Sequence, residues 1–258
     1  MSDDGMNDQL LLIVGESAAG KSASLRNIRD QPDWLYLGTE AGKRLPFKNT
    51  FERHVITDPY QVHEAFDYAT FGIIGETPAD NVPKPENNKG IICDSLTFLM
   101  DQFETNYVLN AANTMTAWGA YQQFFKILLQ QKVAAYGKPV IFTAHVKEEL
   151  NEKTAEMKTS VPIKGALKGN GVEAYFSTVV AAKKVEIKLL EKYANDLLII
   201  TDEERELGYK HVFQTRPTKT TTGERIRSPM GMFAKEQTYI DNDAQLLLDH
   251  LHRYYADC

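Results

Sequence analysis

Residues Gly15, Glu16, Ser17, Ala18, Ala19, Gly20, Lys21 and Ser22 spell G-x-x-x-x-G-K-S, and Ala23 follows them. The apolar run Leu10-Leu11-Leu12-Ile13-Val14 leads straight in. That order predicts a buried strand, a phosphate-binding loop and a helix, the setting in which such a motif works. Its chemistry is phosphate capture. Glycines at 15 and 20 let the backbone curl until several N–H groups face inward as an anion nest. A helix starting beyond the loop adds its positive end. The Lys21 ammonium is placed to reach the β- and γ-phosphates of a nucleotide, and the Ser22 hydroxyl to ligate Mg²⁺. ATP and Mg²⁺ are the expected cofactors, with residues 15–23 as the binding segment.

Three further polar residues stand at or just past the ends of apolar runs. Asp94 ends Ile91-Ile92-Cys93 and precedes Ser95, the shape of a Walker B segment. A carboxylate at a strand tip can hold a water of the Mg²⁺ shell; an Asp-Ser pair also suits a plain helix N-cap. Glu40 follows Trp34-Leu35-Tyr36-Leu37 through Gly38 and Thr39. Near a γ-phosphate it would orient water and accept its proton; the plain alternative is a solvated loop acid. His145 ends Val140-Ile141-Phe142-Thr143-Ala144. There it would face the γ-phosphate and report its loss to the segment that follows, or serve as an ordinary surface histidine. No His/Cys/Asp/Glu cluster has zinc spacing, and no Ser/His/Asp arrangement suggests a covalent nucleophile.

The elements that must position these residues alternate. A helix is predicted over 21–29, stopping before Pro32, then strands over 34–37 and 54–57. A helix over 60–71 carries Val62, Ala65, Phe66 and Ala69 on one face. Pro78, Pro83, Pro85 and an Asn-Asn pair mark 75–89 as a loop. A strand follows over 90–94. The amphipathic helix over 116–136 puts Trp118, Tyr121, Phe125, Leu128 and Leu129 into a core and ends at Gly137. A strand over 140–144 closes this part. Past residue 172, strands over 178–190, 197–201 and 210–215 come without helices between them, which predicts an antiparallel extension. Asp241 or Asp243 caps a last helix reaching Tyr254. The expected class is α/β, a mainly parallel sheet flanked by helices with an antiparallel C-terminal extension, and phosphate at the carboxyl ends of the strands. Residues 1–9 read as a loose tail and 10–258 as one domain.

Composition narrows the class further. The 258 residues are 43% hydrophobic and 25% charged, ordinary for a globular protein. A net charge of -6 gives no overall basic footprint, so any nucleic-acid contact must be local. The two cysteines, Cys93 and Cys258, show neither metal spacing nor a disulfide framework, which fits a reducing cytoplasm. No apolar run approaches the roughly 20 residues of a membrane span, and the acidic start MSDDGMNDQ is no secretion signal.

The loop at 15–22, Glu40, Asp94-Ser95, His145 and the late strands together resemble a RecA-fold P-loop ATPase. That resemblance implies a RecA-like core with Glu40 as catalytic glutamate and His145, where Gln is usual, as γ-phosphate sensor coupled to a DNA-binding loop. It also implies a basic pair acting on the next subunit's ATP. Within Phe213-Gln214-Thr215-Arg216-Pro217-Thr218-Lys219 the candidates are Arg216 and Lys219. More narrowly, Gly38-Thr39-Glu40-Ala41-Gly42, Trp118-Gly119-Ala120-Tyr121, Thr143-Ala144-His145 and the segment 220–229 resemble compact phage RecA-like single-strand annealing proteins, the Sak-four group. Implied with it are a DNA-stimulated ATPase promoting annealing or recombination, a homo-oligomeric ring or filament, and the cytoplasm of an infected bacterial host. A single-strand-binding protein or helicase is the implied protein partner.

Residues 147–171 occupy the place of the second DNA loop in such relatives. The first half mixes lysines with glutamates and reads as a solvated helix or hairpin. From 158 to 171 there are Lys158, Lys164 and Lys168, three glycines and no acids. This suits a flexible loop on a sugar-phosphate backbone, or a merely mobile one. A second basic set, Arg216, Lys219, Arg225 and Arg227, fits DNA or a neighbour's phosphates equally. The other functional class is a nucleotide-driven loader or regulatory ATPase acting on a replication protein such as a helicase.

Overall fold

The computed structural model describes residues 7–40, 42–74, 77–78, 86–151, 156–169 and 171–256. Among them, eight strands form one sheet in the order β12-β11-β10-β1-β7-β6-β2-β3. These are β1 (Leu10–Gly15), β2 (Trp34–Gly38), β3 (Glu52–Val55), β6 (Gly90–Asp94), β7 (Val140–His145), β10 (Thr178–Glu186), β11 (Tyr209–Gln214) and β12 (Tyr239–Asp241). Two hairpins stand apart: β4 (Ile73–Ile74) with β5 (Thr77–Pro78), and β8 (Lys147–Asn151) with β9 (Glu156–Ser160). From β10 through β3 all pairings are parallel, while β11 runs antiparallel to β10 and β12 antiparallel to β11. The α/β class and the antiparallel extension are as the sequence predicts.

Continuous apolar runs form the central strands because both sheet faces are covered. Period-two alternation then splits each strand between two cores. Leu10, Leu12, Leu35, Leu37, Ile91, Cys93, Val140 and Phe142 face one core. It is completed by α1 (Tyr60–Phe71), α2 (Leu96–Phe103), α3 (Thr114–Ile127) and α4 (Val133–Tyr136). Leu11, Ile13, Trp34, Tyr36, Ile92 and Ile141 face the other, beneath α7 (Ala244–Ala256). The long predicted helix is α3 and α4 joined through a π-turn at Leu128–Lys132, and it ends at Gly137 with φ 64°. Tyr121, Phe125, Leu128 and Leu129 are buried as expected.

Several expectations need correction. The helix over 21–29 is a six-residue 3-10 turn, Ser22–Asn27. The Lys21 carbonyl accepts from the Ser24 amide over 3.2 Å, the i to i+3 bond of a 3-10 turn, and from the Ser24 hydroxyl over 2.6 Å. Strand β3 begins at Glu52 rather than 54, and Thr77–Pro78 pairs as a strand inside the predicted loop. Strand β10 stops at Glu186, where α5 (Ile187–Leu190) starts. Residues 197–201 are not a strand: Thr201 begins α6 (Asp202–Leu207) with a capping box shared with Glu204, which leaves the preceding segment as a loop bonded to Asp241. The tail is anchored from Asn7 onward, since Asn7 donates to the Lys138 carbonyl over 2.8 Å; residues 1–6 lie outside the described residues. Asp243 does cap α7, accepting from Gln245 and Leu246 amides at 2.9 and 3.2 Å.

Candidate nucleotide-binding and active site

The loop after β1 is held in shape from three sides. Gly15 is required by close approach: a Cβ there would meet the Ala182 carbonyl oxygen at 2.7 Å, so β10 packs its backbone against the loop's entrance. Gly20 takes φ +101° and Ala18 takes φ 61°, the left-handed region. An alanine there costs about 1 kcal/mol or more and persists where surroundings fix it. Those surroundings come from far along the chain. His211 donates from Nδ1 to the Ala19 carbonyl over 3.0 Å, and Asn242 donates from Nδ2 to the Gly20 carbonyl over 2.9 Å. Lys21 spans the loop from inside, its Nζ donating to the carbonyls of Gly15 (3.0 Å) and Glu16 (2.8 Å). It is 6% exposed, and burial pulls its pKa down to about 8 against the opposing pull of Asp94 and Glu40.

Four adjacent strands deliver the rest. Gly15 is the register partner of His145, and Gly38 of Asp94, so the carboxyl ends of β1, β7, β6 and β2 end on one rim. Thr39, buried just past β2, donates its hydroxyl to the Ser95 carbonyl and accepts from the Ser95 amide, both at 2.7 Å. This ties the approach to Glu40 directly to the tip carrying Asp94. The Tyr36 hydroxyl donates to Asp94 Oδ2 over 2.8 Å and the Thr143 hydroxyl donates to Oδ1. Burial, then the Asp94 charge, drives the Tyr36 pKa far up, so the phenol stays a donor. Glu40 is 14% exposed in its side chain; its Oε1 lies 3.7 Å from His145 Nε2 and its Oε2 pairs with Lys43. Burial first, then the Lys21 charge, lowers the His145 pKa, which keeps the imidazole neutral at neutral pH. Its amide accepts support from α2, donating to the Thr97 hydroxyl over 2.8 Å.

Lys21, Ser22, Glu40 and His145 line one cleft of about 800 Å³, together with Thr201, Tyr209 and Asn242. That volume is of the size that encloses a small ligand. Ser22, Glu40 and Asp94 line a smaller cavity beside it. A hydroxyl and an oriented carboxylate there fit Mg²⁺, which takes one or two protein oxygens and fills the rest with water and phosphate. Among the described residues no group of three or more His, Cys, Asp or Glu forms a tighter cage. When bound, the ion would supply charge neutralisation on the phosphates.

Other predicted residues lie elsewhere. Arg216 and Lys219 are exposed past the end of β11, and Arg216 donates to the Phe233 carbonyl over 2.8 Å; neither lines this cleft. Lys158, Lys164 and Lys168 are exposed and share a separate groove of about 720 Å³ with Lys147 and Arg225, alongside Glu149 and Glu224. Lys164 pairs with Glu104. The flexible loop expected over 158–171 is corrected for its described residues: Val161, Ile163 and Leu167 are buried in the core, and Val161 donates to the buried Glu173 over 2.7 Å. Tyr175 ends a 3-10 turn, and Phe176 is core. The sequence reading missed Tyr36, Thr39, Lys43, Thr143, His211 and Asn242. Tyr36 and Thr143 are the polar-tipped members of otherwise apolar strands, and that interruption was the available signal; His211 and Asn242 carry none.

Compared with known families, residues 7–225 match the profile of the AAA domain. The chain therefore belongs to that family of P-loop ATPases. No curated protein matches it. Among the described residues, no helix is long and apolar enough to cross a membrane.

Proposed function

We propose that this AAA-family chain binds Mg·ATP in the cleft beside the loop at 15–22 and hydrolyses it, and that the cycle drives work on single-stranded DNA in the manner of RecA-like annealing proteins. The observation that supports the ATPase reading is the shared rim: β1, β7, β6 and β2 end side by side, Lys21, Glu40 and His145 line one cleft, and Asp94 lines the smaller cavity that adjoins it at Ser22 and Glu40. In the proposed reaction Glu40 orients water and takes its proton. Lys21 and the metal held by Ser22 and Asp94 offset charge on the phosphates. His145 stands beside Glu40 at the start of the chain leading into the β8–β9 hairpin. The groove of Lys147, Lys158, Lys164 and Lys168 supports a DNA backbone site on that side of the chain. Arg216 and Lys219, free of the chain's own cleft, are proposed to serve a neighbouring copy.

The test is ATP turnover with and without a single-stranded oligonucleotide, at two salt concentrations, together with the mass in solution. Turnover that rises with DNA, and less so at high salt, supports the reading. Glu40→Gln is expected to cut turnover by about a thousandfold while nucleotide binding persists; hydrolysis at the unaltered rate removes Glu40 from its role. A second reading, a loader acting on a protein partner, is favoured by Leu150 and Met157, register partners on the β8–β9 hairpin that are both exposed. Turnover stimulated by a replication protein and indifferent to DNA selects it.

A further inference from the structure

The Lys43 amide donates to the Glu40 carbonyl over 3.3 Å, and Gly42 takes φ +75°. The left-handed glycine lets the chain reverse, and the reversal brings the Lys43 side chain back onto Glu40. Its ammonium pairs with Glu40 Oε2. Arg53 of β3 donates to the Lys43 carbonyl and lies 5.9 Å from the centre of the Tyr36 ring. The turn is thereby fastened to the tyrosine that orients Asp94.

Lys43 lines both cavities of the site, the one with Ser22 and Asp94 and the one with Lys21 and His145. Its side chain is 60% exposed against 14% for Glu40, so the carboxylate is the desolvated member of the pair. A desolvated carboxylate repels the terminal charges of an incoming triphosphate more than those of a diphosphate, which stop one phosphate short. Of the other cations lining these cavities, which include Arg44, Lys21 is engaged with the carbonyls of Gly15 and Glu16.

We infer that Lys43 is the positioning residue for Glu40, holding the carboxylate as its counter-ion and so setting the preference of the cleft for triphosphate over diphosphate. The inference rests on the ATPase reading above. Its test is fluorescence titration with ADP and with a non-hydrolysable ATP analogue, run beside ATP turnover of the unaltered protein. Lys43→Ala is expected to weaken analogue binding about tenfold, a coupling of the size seen between contacting residues, while ADP affinity stays within about twofold. In a Glu40→Gln background the same substitution is expected to change neither affinity, because the charge it balanced is gone. Lys43→Arg is expected to keep the preference. Unchanged analogue affinity in Lys43→Ala, an equal loss for ADP, or an equal loss in the Glu40→Gln background each overturns the inference. If the unaltered protein binds and hydrolyses ATP through any of these results, the ATPase reading survives; if it binds no nucleotide, both fall.

Discussion

Asn242 donates to the carbonyl of Gly20 over 2.9 Å, a bond between residues 222 positions apart. Its backbone carbonyl in turn accepts from Arg26 Nη1 over 2.8 Å, so the turn before α7 grips the phosphate loop at its crest and the 3-10 turn behind it. Removing the amide leaves the Gly20 carbonyl without that support and the left-handed Ala18 less constrained. Asn242→Ala is expected to lower nucleotide affinity about fivefold, the effect of roughly 1 kcal/mol, with little change in the helix content seen by circular dichroism. An affinity equal to the unaltered protein's removes the brace from the account.

Lys21 carries a pH signature. Burial holds its pKa near 8, below an ordinary lysine. In the free protein the ammonium is charged below that value and neutral above it. Nucleotide affinity is therefore expected to fall as pH rises from 7 to 9, with proton uptake on binding at the upper end. Calorimetry in buffers of different ionisation enthalpy measures that uptake directly. Lys21→Ala is expected to bind weakly at every pH, with no proton uptake.

Tyr36 and Thr143 orient the carboxylate of Asp94 through one bond to each oxygen. Partners that aim a metal ligand commonly govern affinity by about tenfold or more. Tyr36→Phe and Thr143→Val are each expected to raise the Mg²⁺ concentration needed for half-maximal turnover about tenfold, with full turnover recovered at saturating metal. A Mg²⁺ dependence that does not move would mean Asp94 needs no such support.

His63 lies far from this chemistry and bears on stability. It stacks on Phe124 with ring centres 4.2 Å apart, and its Nε2 is buried with no partner among the described residues. Burial, helped by the charge of Lys132, lowers its pKa to about 4. The unfolded chain, at about 6.5, takes up a proton first on acidification. The neutral ring's contribution is thus intact above pH 6.5 and is lost as pH falls toward 4, about 3 kcal/mol in all. His63→Phe is expected to flatten that part of the urea-midpoint profile; a profile as steep as before would place the acid sensitivity elsewhere.

The legible part of the site is the part encoded at strand ends. Lys21, Asp94 and His145 each close or follow an apolar run, and parallel strands place such ends on one side of the sheet. Glu40 needed only two more residues beyond its strand. Alternation along β1, β2, β6 and β7 likewise made both cores readable. Contacts that cross the chain were not readable. His211 reaches Ala19 across 192 positions, and no local pattern around either residue anticipates it. The segment 197–201 looked like a strand because its apolar run was weighed above the Thr201–Glu204 capping box that governs it. Basic residues over 158–168 looked like a free loop because the interleaved Val161, Ile163 and Leu167, which pin it to the core, are spaced two and then four apart and sustain neither period.

Strand β3 ends the sheet on one side with all four of its side chains exposed, and three of them are Glu52, Arg53 and His54. An open border of unpaired amides and carbonyls invites another chain to zip onto it. Mixed polar charge along that border discourages the match, since any approaching copy must strip water from those groups. Neutralising Glu52 and His54 would therefore be expected to turn a quiet margin into a seed for edge-to-edge association.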